Sequence, residues 1–450
     1  MEVAGEAGVD RAPIRPVWFD AFLVGVIAFA VFATTAKYHD PLNNDAHATA
    51  VAAWQLGHHG NATLTAFHGH LPWLYPVDGR YVTNRLPGTV FWAAPFYALI
   101  GPSSYPPIYP SAIAAVAASA LATAFAFSLC CRLVSRRAAV VTAGLFAFAT
   151  GTWTVSADQL WTHGPAQAAV LLMLIFAIRN QWLLAGLPAG FAVLVRPHLG
   201  VVAVILGVAG VVQTKQLKPL LIGVGAAAGA AILLAYNNAL WDGISIFGGY
   251  NQPVVASDHK VTALIIGFFG DFVSPERGVL VMTPALLVLL PGTRAAWRVA
   301  PHWVHWSTAA GFAYLILQLW GIRFGGGDGF YSYRTTLETL SLCVPLLTLM
   351  WREWTSKTRG RRATFAALAT TSVALHAFGA VINWVPGGAP NKPWRIYLPV
   401  DLAHHIGAVQ TSGWLAGSVV AVVTATVLTW RHQQPTGASP DAPHPLVAAA

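Results

Sequence analysis

The chain is 450 residues long, 56% hydrophobic and only 10% charged, with a mean hydropathy of +0.56. Soluble domains carry about 25% charged residues, so an ordinary soluble enzyme, a nucleic-acid binder and a disordered protein are excluded. The formal charge of +9 and the pI near 9.6 form no basic patch, because few charges spread over many apolar runs; Lys and Arg in cytoplasmic loops account for the excess.

Residues 1–16 are a polar head with no signal-peptide cleavage pattern, so the apolar run behind them is expected to stay as an anchor. A spanning helix takes about 20 apolar residues. Runs on that scale lie near 17–36, 109–129, 139–156, 165–179, 218–236, 277–292, 303–321, 335–351, 363–384 and 412–430. Residues 182–195 are too short to span alone, and 197–213 follow at once. They read as two short helices meeting at Arg196-Pro197-His198. The sum is about 12 membrane-spanning helices, an all-α polytopic membrane protein filling 17–430. Residues 88–100 are apolar but short, and Pro95 interrupts them. If they spanned, the basic loops holding Arg132, Arg136 and Arg137, and Arg352, Lys357, Arg359, Arg361 and Arg362, would fall outside, against the positive-inside tendency. They are therefore expected to lie flat on the outer surface, with Trp92 and Phe96 as anchors. Both termini are then cytoplasmic in a multi-pass plasma-membrane protein. The tail, 431–450, is rich in Pro and Ala and reads as disordered. Cys130, Cys131 and Cys343 show neither metal nor disulfide spacing.

On this map the polar chemistry lies outside, in loops 37–108, 237–276, 322–334 and 385–411, which hold most of the acids and most of the 16 histidines. Loops this long are more often functional than decorative. The first contains KYHDPLNNDAHATAVAAWQLGHHGNATL, with Asp40 and Asp45 just beyond the first span. Asp45 opens a helix-like segment closed by Gly57. It reads as an N-cap, or as a general base that takes a proton from an acceptor hydroxyl, and the two roles are compatible. His58, His59, His68, His70, His404 and His405 have no compact ligand spacing for zinc and read as solvated loop residues. The run Gly325-Gly326-Gly327 lacks the strand–helix context of a phosphate loop.

An acid just after the first span, a short surface helix and then NRLPGTVFWAAPFYAL resembles the start of the GT-C superfamily of membrane glycosyltransferases. LWTHGPAQAAVLLMLIFAIR, LLAGLPAGFAVLVRPH, SPERGVLVMTPALLVLLPG and GGGDGFYSYRTTLETLSLCVPLL continue the likeness to about residue 351. Ala46 stands where Glu is often found in the family. The resemblance implies a bacterial, inverting transferase that takes a sugar from a polyprenyl-phosphate donor on the outer leaflet. The acceptor is then a lipid or glycan, and membrane lipids are the surroundings. No cofactor is certain, and a divalent metal stays open.

Such a reaction needs a carboxylate for the acceptor and cations for the phosphate that leaves. Asp45, with Asp40 as its alternative, is the candidate base. Arg85, Arg196, Arg277 and Arg334 are the candidate phosphate ligands, with headgroup snorkelling or structural ion pairing as the other reading of each. Arg334 and Glu338, at i and i+4, are expected one above the other on a helix face. His163, Asp158, Tyr333 and Glu338 complete the candidate substrate contacts. The competing class is a transporter or lipid flippase for an envelope glycolipid, which also accommodates twelve spans. Against it, the sequence shows no inverted repeat and no mid-span acids.

Overall fold

The computed structural model describes residues 16–39, 43–101, 103, 105–241, 243–250, 259–275, 277–321 and 330–382. These residues are mostly helical (75%), because a backbone in lipid has to satisfy its own hydrogen bonds. α1 (Val17–Ala33) follows Pro16, and α2 (Asn44–His59) follows Asn43. A hairpin, β1 (Tyr75–Val77) and β2 (Arg80–Val82), turns at Asp78 and Gly79. Both have positive φ, 46° and 74°, as the tight turns that match strand twist require. The segment expected to lie flat is α3 (Pro87–Ala98), with Pro87 in its first turn, where no N–H is needed. Its Trp92 is not simply a surface anchor: the indole N–H donates to the Ala114 carbonyl at 2.8 Å. Ala114 lies on α4 (Tyr109–Cys130), an Ala-rich helix packed against α1 on one side and α6 (His163–Ala177) on another. Its small residues allow this close approach.

The run 139–156 is not one helix. α5 (Arg136–Phe148) stops, and the chain re-forms as a π-helical turn, Thr152–Ser156. A cause is visible at the break. The Thr150 hydroxyl bonds the Phe146 carbonyl, and Gly151 sits so close to the Tyr333 carbonyl that a Cβ would stand 2.6 Å from it. The break after α7 (Trp182–Val195) is where the sequence puts it. Proline disfavours helical geometry in the residue before it, and Arg196 is extended, at φ −152° and ψ 106°. α8 (Gly200–Thr214) follows through a 3-10 turn. α9 (Ile222–Trp241) crosses α7 along Gly186, Gly190, Gly225 and Gly229. A Cβ on Gly225 would lie 2.0 Å from the Gly186 carbonyl oxygen, so only glycine permits the crossing.

Two expectations fail in the second half. The stretch 237–276, expected to be a loop, contains α10 (Val261–Val273), an apolar helix that is short of a span at about 20 Å. The expected span 277–292 is broken into Val279–Met282 and Ala285–Leu289. Pro284, which cannot donate a backbone bond, begins the second piece. α11 (His302–Gly321), α12 (Leu337–Glu353) and α13 (Arg359–Ile382) follow, with α11 packed on α12.

Among the described residues, Tyr109–Cys130, Pro197–Thr214, Lys218–Trp241 and Arg359–Val381 are long and apolar enough to cross a membrane. Val17–Ala33, His163–Ala177, Trp182–Val195 and Val261–Val273 are apolar but shorter. The described helices therefore do not supply the expected count of about 12, because proline and polar breaks shorten several runs. The expected span 412–430, loop 385–411 and tail 431–450 lie outside the described residues.

Candidate active site

The site begins at the first turn of α2. Asn43, not Asp45, is the N-cap: its side chain accepts the Asp45 backbone N–H at 2.9 Å. The Asn43 backbone N–H in turn donates to Gln159 Oε1 at 2.9 Å. With the cap supplied by Asn43, the Asp45 carboxylate is left to face outward, and it meets two arginines. Oδ1 lies 2.8 Å from Arg85 Nη1, and Oδ2 lies 3.6 Å from Arg334 Nη1. The arginine side chains are 12% and 17% exposed, and that of Asp45 is 40% exposed.

Each arginine has a second hold. Arg85, placed just after the hairpin, donates from Nε to Asn84 Oδ1 at 2.8 Å, and its Nη2 also reaches that oxygen. The Arg334 guanidinium lies 4.9 Å from the Trp161 ring centre and 4.7 Å from that of Phe330. Arg277 lies 4.8 Å from the same Phe330 ring. Stacked arginine–aromatic pairs of this kind keep a guanidinium flat and in place. The segment that delivers Phe330 and Arg334 carries Ser332 at φ 77°. A left-handed non-glycine residue is costly and clusters at functional sites.

A second charged cluster adjoins the first and is buried. Glu338 is fully buried; its Oε1 accepts from His163 Nδ1 at 2.9 Å and faces Arg196 Nη1 at 3.3 Å. Arg196 Nη1 also reaches Gln318 Oε1 at 2.9 Å and the Tyr314 hydroxyl. His198 stacks flat on Tyr314, with centroids 5.0 Å apart. His163, which bonds Glu338, lies two residues after Trp161, on whose ring Arg334 rests. Arg334 and Glu338 do not stack on one helix face as expected. α12 begins only at Leu337, so Arg334 precedes it and turns to Asp45 while Glu338 turns to His163 and Arg196.

The remaining candidates are elsewhere. Asp158 is buried and accepts the Gln159 side-chain N–H at 3.2 Å, while its carbonyl takes the Lys37 backbone N–H at 2.9 Å. Burial lowers the pKa of Lys37, and the Asp158 charge opposes that shift. Asp158 thus sits beside the residue that braces Asn43. Tyr333 is buried in a polar seam, with its hydroxyl 2.8 Å from Thr283 Oγ1 and its ring edge-on to His376. It does not join the arginines. Asp40, Gly325–Gly327, His404 and His405 lie outside the described residues.

Sequence reasoning missed Asn43, Asn84, Trp161 and Phe330 as partners of the site, and Tyr314 and Gln318 as holders of Arg196. It also missed Asp271, buried on α10, which accepts from Thr335 Oγ1 at 2.7 Å. Trp161 and Phe330 lie in the LWTHGP and GGGDGFYSYR stretches, but nothing in the spacing says that a distant arginine will lie on them. Among the described residues no three His, Cys, Asp or Glu side chains converge as metal ligands. The described groups facing Asp45 are arginines, which offer a metal no lone pair, so the described residues do not fit a metal at this point.

No protein-family model matches the chain, and no curated protein matches it. Among the solved structures similar to it are two GT-C membrane glycosyltransferases. One is ArnT from Cupriavidus metallidurans bound to undecaprenyl phosphate; it is 12% identical, with 92% of this chain and 75% of that chain covered and a TM-score of 0.50. The other is the Archaeoglobus fulgidus oligosaccharyltransferase in its apo form, 14% identical over 91% of this chain, with a TM-score of 0.43. This chain spans about 65% of the length of that enzyme. At 12% identity the likeness to ArnT speaks for the fold alone, and the fold of this chain is GT-C-like.

Proposed function

We propose that the protein is a membrane glycosyltransferase that moves a sugar from a polyprenyl-phosphate donor to a lipid or glycan acceptor on the outer face of the membrane, with inversion. The observation that carries this reading is the Asp45 carboxylate held between Arg85 and Arg334 on a GT-C-like fold. An acid beside a pair of preplaced cations is the equipment that direct displacement at a glycosyl phosphate needs. The undecaprenyl phosphate bound to ArnT supports a lipid-linked phosphate as donor.

In this mechanism the acceptor hydroxyl attacks the anomeric carbon and gives its proton to Asp45. The bond between that carbon and the phosphate oxygen breaks, and its electron pair stays on the phosphate. Arg85 and Arg334, with Arg277 beside Phe330, take up the charge that develops there. Arg196, tied by Glu338, Tyr314 and Gln318, extends the cationic lining towards His163. No step passes through a metal.

The test is incubation of purified protein with polyprenyl-phosphate sugars and crude envelope lipids, with release of polyprenyl phosphate as the signal. Release that depends on Asp45 supports the reading. Failure with every donor, together with passage of an envelope glycolipid across reconstituted vesicles, would replace it with the flippase class.

A further inference from the structure

We propose that Asp45 is the resident occupant of an anion site, and that the donor's phosphate binds by displacing it. This rests on the transferase reading only for the identity of the anion. Three features of the geometry carry it. Both carboxylate oxygens already face a guanidinium, Oδ1 that of Arg85 and Oδ2 that of Arg334. Each oxygen then has a lone-pair site committed to a cation.

The arginines do not depend on Asp45 for their position. Arg85 is tied to Asn84 through Nε and Nη2 and uses Nη1 for Asp45. Arg334 lies on Trp161 and Phe330. If Asp45 moves away, both cations remain aimed at the space it leaves. That is the preorganisation a phosphate site needs.

Asp45 itself is the least buried of the three. Its longer contact, 3.6 Å to Arg334, is a charge contact rather than a full hydrogen bond. A phosphate brings more charge and more acceptor oxygens than one carboxylate, and arginine forks match it well. Donor binding therefore exchanges one anion for another at Arg85 and Arg334 and releases a carboxylate oxygen for the acceptor. The base becomes available only once the donor is in place, which protects the transfer against futile deprotonation and orders donor before acceptor.

The experiment uses the full chain in detergent micelles, with farnesyl phosphate as probe and farnesol as the uncharged control. Asp45→Asn and Asp45→Ala remove the competing charge and should bind farnesyl phosphate about tenfold more tightly than the wild type, with farnesol binding unchanged. Adding Arg85→Gln to Asp45→Asn should abolish that gain. Equal or weaker binding by both Asp45 variants, at an unchanged unfolding midpoint, overturns the proposal. A second measurement needs no variant: carbodiimide-driven labelling of Asp45, followed by mass spectrometry, should speed up when farnesyl phosphate is added to the wild type. Unchanged or slower labelling also overturns it. If Asp45→Asn binds more tightly but the wild type transfers no sugar, the anion site stands and the transferase reading falls. If sugar is transferred and Asp45→Asn binds no more tightly, the transferase stands and Asp45 is not the occupant.

Discussion

Asp45 and Glu338 each face an arginine, and their surroundings make them different objects. Asp45 is 40% exposed and lies between two arginines that have other supports. Glu338 has no exposed surface, and its Oε1 is shared by His163 and Arg196 while Oε2 finds no hydrogen-bond partner. A half-exposed ion pair is worth little to stability. Breaking a buried one leaves an uncompensated charge and costs several kcal/mol. The same chemistry thus gives an exchangeable pair at Asp45 and a fixed one at Glu338.

The sharpest way to break this contrast is Asp45→Asn. Turnover should fall by about 10²–10⁴, the usual cost of losing a general base, with the unfolding midpoint almost unmoved. Full activity would remove Asp45 from the mechanism. For Glu338→Ala the balance reverses, with a loss of about 3–5 kcal/mol of stability, read by thermal unfolding in detergent. A stable Glu338→Ala would mean that the buried pair is as dispensable as the exposed one. Arg334→Ala should weaken donor use by about 2–3 kcal/mol in kcat/KM, the worth of a charge-assisted bond to phosphate. Acceptor use should change less, and equal losses with both substrates would point to misfolding. Trp161→Ala tests whether Arg334 has an independent hold; the loss of one stacking face should cost about 0.5–2 kcal/mol in donor affinity. Smallest is Asp20→Asn, which breaks the 2.6 Å pair with Arg136. Both side chains are partly exposed, so unfolding should shift by no more than about 1 kcal/mol.

Much of the helical frame was readable from local features. The α7–α8 break follows from Pro197, and the length of α4 from its unbroken apolar run. The run 277–292 was misread because hydropathy counts Pro284 and Pro291 as interruptions too weakly, although proline removes the bond that a continuous helix needs. α10 was missed inside a stretch read as an outer loop, and its 13 residues fall below the length of a span.

Residue types and spacing along the chain determined a membrane-embedded helical protein and an acid early in the chain, with arginines scattered far behind it. Those are properties of composition and local period, and neither needs a partner to be known. Which acid meets which arginine was decided by tertiary structure alone. Asn43 takes the cap and releases Asp45 to face Arg85 and Arg334. Arg334 falls one turn short of α12 and so parts from Glu338, whose partners, His163 and Arg196, come from other helices. A charge's partner is set by distance through space. Sequence spacing reports that distance only within a turn or two of one helix, and these pairs are joined by the packing of helices far apart in the chain.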